Sequence, residues 1–353
     1  MTELIHGGDL YGYTTPMLDF SSNINPLGLP KGVKTALAAS IDSWERYPDP
    51  LCRDLVAAIA RAEEIAPAYI HCGNGAADLL FRIVQAKKPR RALLTAPTFA
   101  EYERALKTVG CEITLHFLHE KDGFALTDTL LKKLSPALDL LVLCNPNNPT
   151  GQPIEKEFLL CILKKCVEFK ITLLIDECFN PFLDEPEAYS LKDQLAEYPN
   201  LIIVKAFTKL YAMAGLRLGY LLCSDQKLIE AVAACGQAWN VSMPAQTAGV
   251  AALSDTAYVA QTRALISQQR NYLTASLQNL NVTVIGSKAN YIFFKCNRCR
   301  DLRERLLPRG ILIRSCANYH GLDDRFYRIA VKDHAANEAI VHALTEILNR
   351  EGE

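Results

Sequence analysis

The stretch Ala206-Phe-Thr-Lys-Leu-Tyr-Ala-Met-Ala-Gly-Leu-Arg-Leu-Gly-Tyr220 sets one lysine, Lys209, eight residues before an arginine, Arg217, in a mostly apolar segment. The preceding Leu201-Ile-Ile-Val204 reads as a buried strand, which predicts Lys209 in the loop where that strand ends. Such loops are a usual place for chemistry in open α/β sheets. Burial favours a neutral amine, and a neutral amine condenses with an aldehyde. The alternative is a lysine that snorkels from the sheet end into water.

Outward from this stretch, apolar strand-like runs alternate with amphipathic helical ones between residues 35 and 255. Arg91–Thr95, Leu138–Cys144, Thr172–Asp176 and Leu201–Val204 are the strands, with helical stretches such as Glu155–Phe169 between them. That alternation predicts an α/β fold: a large domain over 35–255 with a mostly parallel sheet flanked by helices. Residues 1–34 are rich in Gly, Pro and Asn and read as an extended arm that joins part of a small domain. Residues 256–353 supply a connector helix, Ala257–Leu280, and the rest of a small α+β domain, with strands around Ala289–Phe294 and Phe326–Val331 and two helices. Gln261, Arg263, Gln268, Arg270 and Asn271 predict one wet face on the connector.

The 353 residues carry a formal net charge of −1 and are 50% hydrophobic, a balance that points to neither nucleic acid nor an anionic membrane surface. Met1–Phe20 is polar, and the apolar runs are strand-length, so a soluble cytoplasmic protein is expected. Twelve cysteines scattered through apolar segments suit a reducing compartment. Cys296 and Cys299 form a lone CxxC without a second ligand pair, so surface thiols are expected there and no metal.

Four further motifs carry potential chemistry. Cys72-Gly-Asn-Gly-Ala-Ala-Asp-Leu79 puts small residues at a turn that opens a helix, where free N–H groups hold a phosphate or where the turn is merely tight. Pro97-Thr-Phe-Ala-Glu-Tyr102 brings an aromatic after a strand, a core residue unless something else recruits it. Cys144-Asn-Pro-Asn-Asn-Pro-Thr-Gly151 follows a buried strand, and its proline-rich turn fixes Asn148 with its amide toward a ligand. Leu173-Leu-Ile-Asp-Glu177 ends a strand in two carboxylates, and a buried acid needs a partner.

The five motifs, in this order, resemble those of fold-type I pyridoxal-phosphate (PLP)-dependent transferases. The resemblance implies that Lys209 carries PLP as a Schiff base and that Asp176 pairs with the pyridinium nitrogen. It further implies Tyr102 stacked on the ring and Asn148 donating to the phenolic oxygen. Gly75, Ala76, Ala77, Thr208 and Arg217 then bind the cofactor phosphate, and Glu177 is structural. Phe179 stands where many relatives carry a tyrosine to the phenolic oxygen, and Ala206 where a Ser or Thr contacts the phosphate.

His6-Gly-Gly-Asp9, Asp19-Phe-Ser-Ser-Asn-Ile-Asn-Pro-Leu-Gly28, Glu45-Arg-Tyr-Pro-Asp49 and Ile311–Leu322 are similar to the histidinol-phosphate aminotransferase group, and within it to its threonine-phosphate decarboxylase branch. That branch works in cobamide synthesis. The likeness implies a homodimer with shared sites, in which Tyr47 reaches the cofactor phosphate of the other subunit. It implies Arg328 on the substrate α-carboxylate, and Arg314, His6 and Asn23 on the phosphate of a small phosphorylated amino acid, with Asn148 also against the substrate. Two alternatives stand: an aminotransferase for histidinol phosphate or an aromatic amino acid, and a non-catalytic PLP-binding protein. Regulators of the last kind carry an added DNA-binding domain, for which these residues leave no length.

Overall fold

The computed structural model describes residues 6–350. The chain enters the fold through a two-residue strand, β1 (Leu18–Asp19), which pairs in parallel with β11 (Ile311–Leu312) near the other end of the sequence. The arm is therefore tied to the C-terminal part of the chain. The Phe20 N–H donates to the Leu312 carbonyl at 2.8 Å, and the Ala330 N–H donates back to the Phe20 carbonyl at 2.8 Å.

The main sheet has seven strands: β2 (Ile70–Gly73), β3 (Arg91–Ala96), β4 (Glu112–Phe117), β5 (Leu140–Cys144), β6 (Thr172–Asp176), β7 (Leu201–Ala206) and β8 (Gly219–Leu222). Their order is β2-β8-β7-β6-β5-β3-β4, and only β8 runs against its neighbours. The mostly parallel sheet expected from the alternation is present. Both faces are covered, which is why its central strands are apolar without interruption. Leu141, Leu143, Leu173, Ile175, Leu201 and Ile203 pack into one core with helices Arg53–Glu63 and Lys156–Phe169. The residues between them, Leu140, Val142, Leu174, Ile202 and Val204, pack into another with helix Ala76–Lys87. Each such aliphatic side chain contributes roughly 1.5–3 kcal/mol on burial.

Beyond the helix Thr256–Asn279, a second sheet joins β9 (Thr283–Gly286), β10 (Tyr291–Lys295), β12 (Arg314–Ser315) and β13 (Phe326–Ala330) in the antiparallel order β12-β13-β10-β9. Two of these strands, β9 and β12, escape the sequence reading because they are too short to show a period. The connector helix departs from expectation at one polar residue. Gln261, Gln268 and Asn271 are exposed, but Arg270 is buried, where its Nη1 donates to the Lys288 carbonyl at 2.9 Å and its Nη2 meets Asp184. Cys296 and Cys299 are likewise not surface thiols. Both are buried, and the Cys299 Sγ donates to Asp301 Oδ1 at 3.2 Å. Among the described residues, no helix is long and apolar enough to cross a membrane.

Candidate active site

A cavity of about 250 Å³ lies where β5, β6 and β7 end, and Asn148, Asp176 and Lys209 all line it. Lys209 sits in a single helical turn, Phe207–Leu210, that begins as β7 ends. The arm fastens this turn: the Asn25 N–H donates to the Lys209 carbonyl at 3.2 Å, and Asn25 Nδ2 donates to the Leu210 carbonyl at 2.6 Å and to Thr262 Oγ1 at 2.7 Å. Burial, and then the positive charge of Arg328, push the Lys209 ammonium down to about 8. About a tenth of the amine is thus neutral at pH 7, far more than for an ordinary lysine.

At one end of the cavity, β2 turns through Gly75 into helix Ala76–Lys87, whose first N–H groups have no partner within the helix. Gly75 has φ +91°, and a Cβ there would come within 2.9 Å of Arg217 Nη2. Gly219 is held to its size by backbone, since a Cβ would lie 2.7 Å from the Ala76 nitrogen. The turn and the guanidinium are therefore in contact, and with Ala76, Ala77 and Thr208 they form a cationic cup on the cavity wall. Ala206, which lacks a hydroxyl, also lines it.

Asp176 occupies another part of the wall. Its Oδ2 accepts from the Tyr102 hydroxyl at 2.7 Å and its Oδ1 from the Cys178 N–H at 2.9 Å. Glu177 points the other way, as alternation in a strand requires. It is fully buried, accepts from Ser190 Oγ at 2.9 Å, and lies 3.8 Å from the Lys205 ammonium; burial pushes its carboxyl up to about 7. Tyr102 is 2% exposed and touches Asp176 through its hydroxyl. Phe99, one helical turn earlier, meets Tyr102 edge-on at 5.6 Å between centroids and lines the cavity while only half-buried. Sequence reading passed over Phe99 because two aromatics three residues apart share one helix face.

The three asparagines of the proline-rich turn divide their work. Asn145 Nδ2 donates to the Tyr189 carbonyl at 2.7 Å, and Asn147 Nδ2 to the Pro97 carbonyl at 3.0 Å and Thr150 Oγ1 at 2.9 Å, so both hold the loop. Asn148 faces the cavity and accepts from Arg328 Nη1 through its Oδ1. Arg328 Nη2 donates to the Ser21 carbonyl at 2.7 Å. Arg314 stands directly opposite Arg328 across the β12–β13 ladder, so both side chains leave the same face of that sheet, and both line the cavity.

The arm closes the same space. His6 Nε2 is 2.6 Å from Glu101 Oε1, and Asn23 is buried with an Oδ1 that has no hydrogen-bond partner among the described residues. Tyr319, from the loop after β12, also lines the cavity; the Ile311–Leu322 segment contains it, but the resemblance gives a role in that segment only to Arg314. Tyr47 does not. It is 76% exposed and stacks on Trp239, with Ile41, Trp44 and Leu51 exposed nearby in sequence.

The sequence matches the aminotransferase class I and II family over residues 15–344. The chain belongs to that family. It is 41% identical, over 97% of its length and 96% of the relative's, to threonine-phosphate decarboxylase of Salmonella typhimurium. It is similar in structure to the histidinol-phosphate aminotransferase of Clostridium acetobutylicum, with a TM-score of 0.89 and 31% identity over 95% of this chain and 100% of that one. It is also similar to the L-threonine-O-3-phosphate decarboxylase of Porphyromonas gingivalis, with a TM-score of 0.82 and 25% identity over 94% of this chain and 99% of that one.

For this aminotransferase-family chain the implied cofactor is PLP, and the donor set fits it. A neutralisable amine, a cationic cup at a helix N-terminus and a carboxylate that accepts from two donors line one cavity.

Proposed function

We propose that this protein decarboxylates L-threonine O-3-phosphate to (R)-1-amino-2-propanol O-2-phosphate, a step toward cobamides, with L-serine O-phosphate as a second substrate. The observation that carries the reading is the Arg314–Arg328 pair. Two fixed guanidiniums in a small cavity suit one substrate with two anionic groups, a carboxylate and a phosphate. The 41% identity to a threonine-phosphate decarboxylase favours that substrate over histidinol phosphate.

PLP, when bound, supplies an aldehyde for an amine and a protonated ring that accepts the electron pair left at Cα. Lys209 would hold it covalently, the Gly75–Ala77 turn with Thr208 and Arg217 would hold its phosphate, Asp176 its ring nitrogen and Asn148 its phenolic oxygen. Phe99 would offer the flat wall. Arg328, fixed by Asn148 and Ser21, would orient the substrate carboxylate so that the Cα–carboxylate bond breaks and CO2 leaves. Lys209, once displaced by the substrate amine, would take up the proton that the substrate ammonium gives up and, as an ammonium, deliver it to Cα. Arg314, His6 and Asn23 would bind the substrate phosphate and exclude water.

The exposed Tyr47 belongs to a second copy of the chain in this reading. It does not line the active-site cavity of its own subunit, and the apolar side chains around it in sequence suit a homodimer interface.

The test mixes PLP-loaded protein with L-threonine O-3-phosphate and no keto acid, and assays CO2 and amine. Steady release of both supports a decarboxylase. Silence there, with 2-oxoglutarate-dependent conversion of histidinol phosphate, would replace it with an aminotransferase.

A further inference from the structure

Of the groups around Asp176, the Tyr102 hydroxyl has a bond that neither stacking nor packing explains. It donates to Asp176 Oδ2 at 2.7 Å from a ring that is 2% exposed. The carboxylate's other oxygen is served by the Cys178 N–H at 2.9 Å. Two thiols lie close by: Cys144, against the Tyr102 hydroxyl, and Cys178, against the carboxylate. Burial pushes both thiols up, so they remain neutral and weak donors. Tyr102 is likewise kept as a neutral phenol by burial and then by the charge of Asp176. It has a proton to donate throughout the working pH range.

We propose that Tyr102 is a positioning residue that acts through Asp176, holding the carboxylate in its ionised form so that the proton shared with the bound ring stays on the ring nitrogen. This rests on the reading of Asp176 as the partner of the PLP nitrogen. In a dry site a pyridinium–carboxylate ion pair competes with the neutral pair of pyridine and carboxylic acid, because desolvation disfavours both charges. Each donor to the carboxylate tips the competition toward the ion pair. Without the phenol, Oδ2 loses its donor and the proton moves toward oxygen. The ring then draws electrons from Cα less strongly, although the cofactor stays in place.

The experiment loads wild type and Tyr102→Phe with PLP labelled with 15N in the ring and reads the ring-nitrogen chemical shift. Phenylalanine keeps the buried ring, so folding and PLP affinity are expected to be unchanged; both are measured alongside. The expected result is a pyridinium position in wild type and a move toward the neutral-pyridine position in the variant. A fall in kcat of roughly 10- to 100-fold with little change in KM should accompany it, the scale of one lost hydrogen bond to a charged group. Identical shifts in the two proteins overturn the role of Tyr102 and leave Asp176 as the ring partner. A neutral position already in wild type overturns the Asp176 reading as well.

Discussion

Arg314 and Arg328 stand opposite each other across the β12–β13 ladder, with Arg328 tied to Asn148 and to the Ser21 carbonyl. If Arg328 takes the carboxylate and Arg314 the phosphate, their variants fail differently. Arg314→Gln should raise KM for L-threonine O-3-phosphate by roughly 10- to 100-fold, the worth of one charge-assisted hydrogen bond. Arg328→Lys should lower kcat as well, since a point charge does not orient a carboxylate as a fork does. Steady-state kinetics on both substrates separates the two, and equal KM effects without loss of kcat would reverse the assignment.

The Lys209 ammonium titrates at about 8 in the unloaded protein. Below that pH the neutral fraction falls about tenfold per unit, so the rate of PLP attachment should rise about tenfold from pH 6 to pH 7 and level off above pH 8. Stopped-flow absorbance follows the reaction. Lys209→Ala should show neither the attachment band nor turnover.

Phe99 offers the cavity a half-buried aromatic surface, while Tyr102 is committed to Asp176. Phe99→Ala should weaken PLP affinity by roughly 2- to 12-fold, the value of an aromatic contact of roughly 0.5–1.5 kcal/mol. Equilibrium dialysis measures it. An unchanged affinity would return the stacking role to another residue.

Glu63 tests stability apart from the site. It lies 2.8 Å from the Lys205 ammonium in a poorly solvated pocket, and against the upward push of burial that ammonium and the Tyr220 hydroxyl bring its carboxyl down to about 2. A depressed carboxylate stabilises the fold above its unfolded value near 4.5 and loses that stabilisation as pH falls toward 2. Glu63→Gln should therefore cost about 3 kcal/mol at pH 7, as breaking a buried pair does, with the gap narrowing in acid. Denaturant melts across pH check this.

Tyr47 and Lys209 can be tested together. If each site takes Tyr47 from the other subunit, Tyr47→Ala and Lys209→Ala proteins are each inactive or nearly so. Refolded together as a mixture, they should recover up to about a quarter of wild-type activity, because half the dimers carry one complete site. No recovery would place Tyr47 outside the shared site.

What the sequence could show was local. Asp176, Asn148 and Lys209 each stand at or just after the end of a strand, where an apolar run stops and polar chemistry begins, Arg217 stands just before β8, and all four line one cavity. The pairing of Arg314 with Arg328 had no such signal, because a register between two strands is not written in either one. Phe99 and Tyr102 compete for one helix face, and burial, not composition, separates them. Cys296 and Cys299 looked exposed for want of a metal-ligand set, but they pack beside the helix that starts at Leu302, where small apolar thiols fit.

β1 pairs with β11, so the first strand of the chain waits for one of the last. During synthesis the ribosome must deliver Ile311–Leu312 before Leu18–Asp19 has a partner, and Arg328 must also emerge before the cavity has its full wall. Contacts this distant in sequence are slow to form. The nascent chain therefore spends most of its elongation with a loose N-terminal arm and an unfinished pocket, an interval in which a chaperone's hold on residues 6–30 would matter more than at any time afterwards.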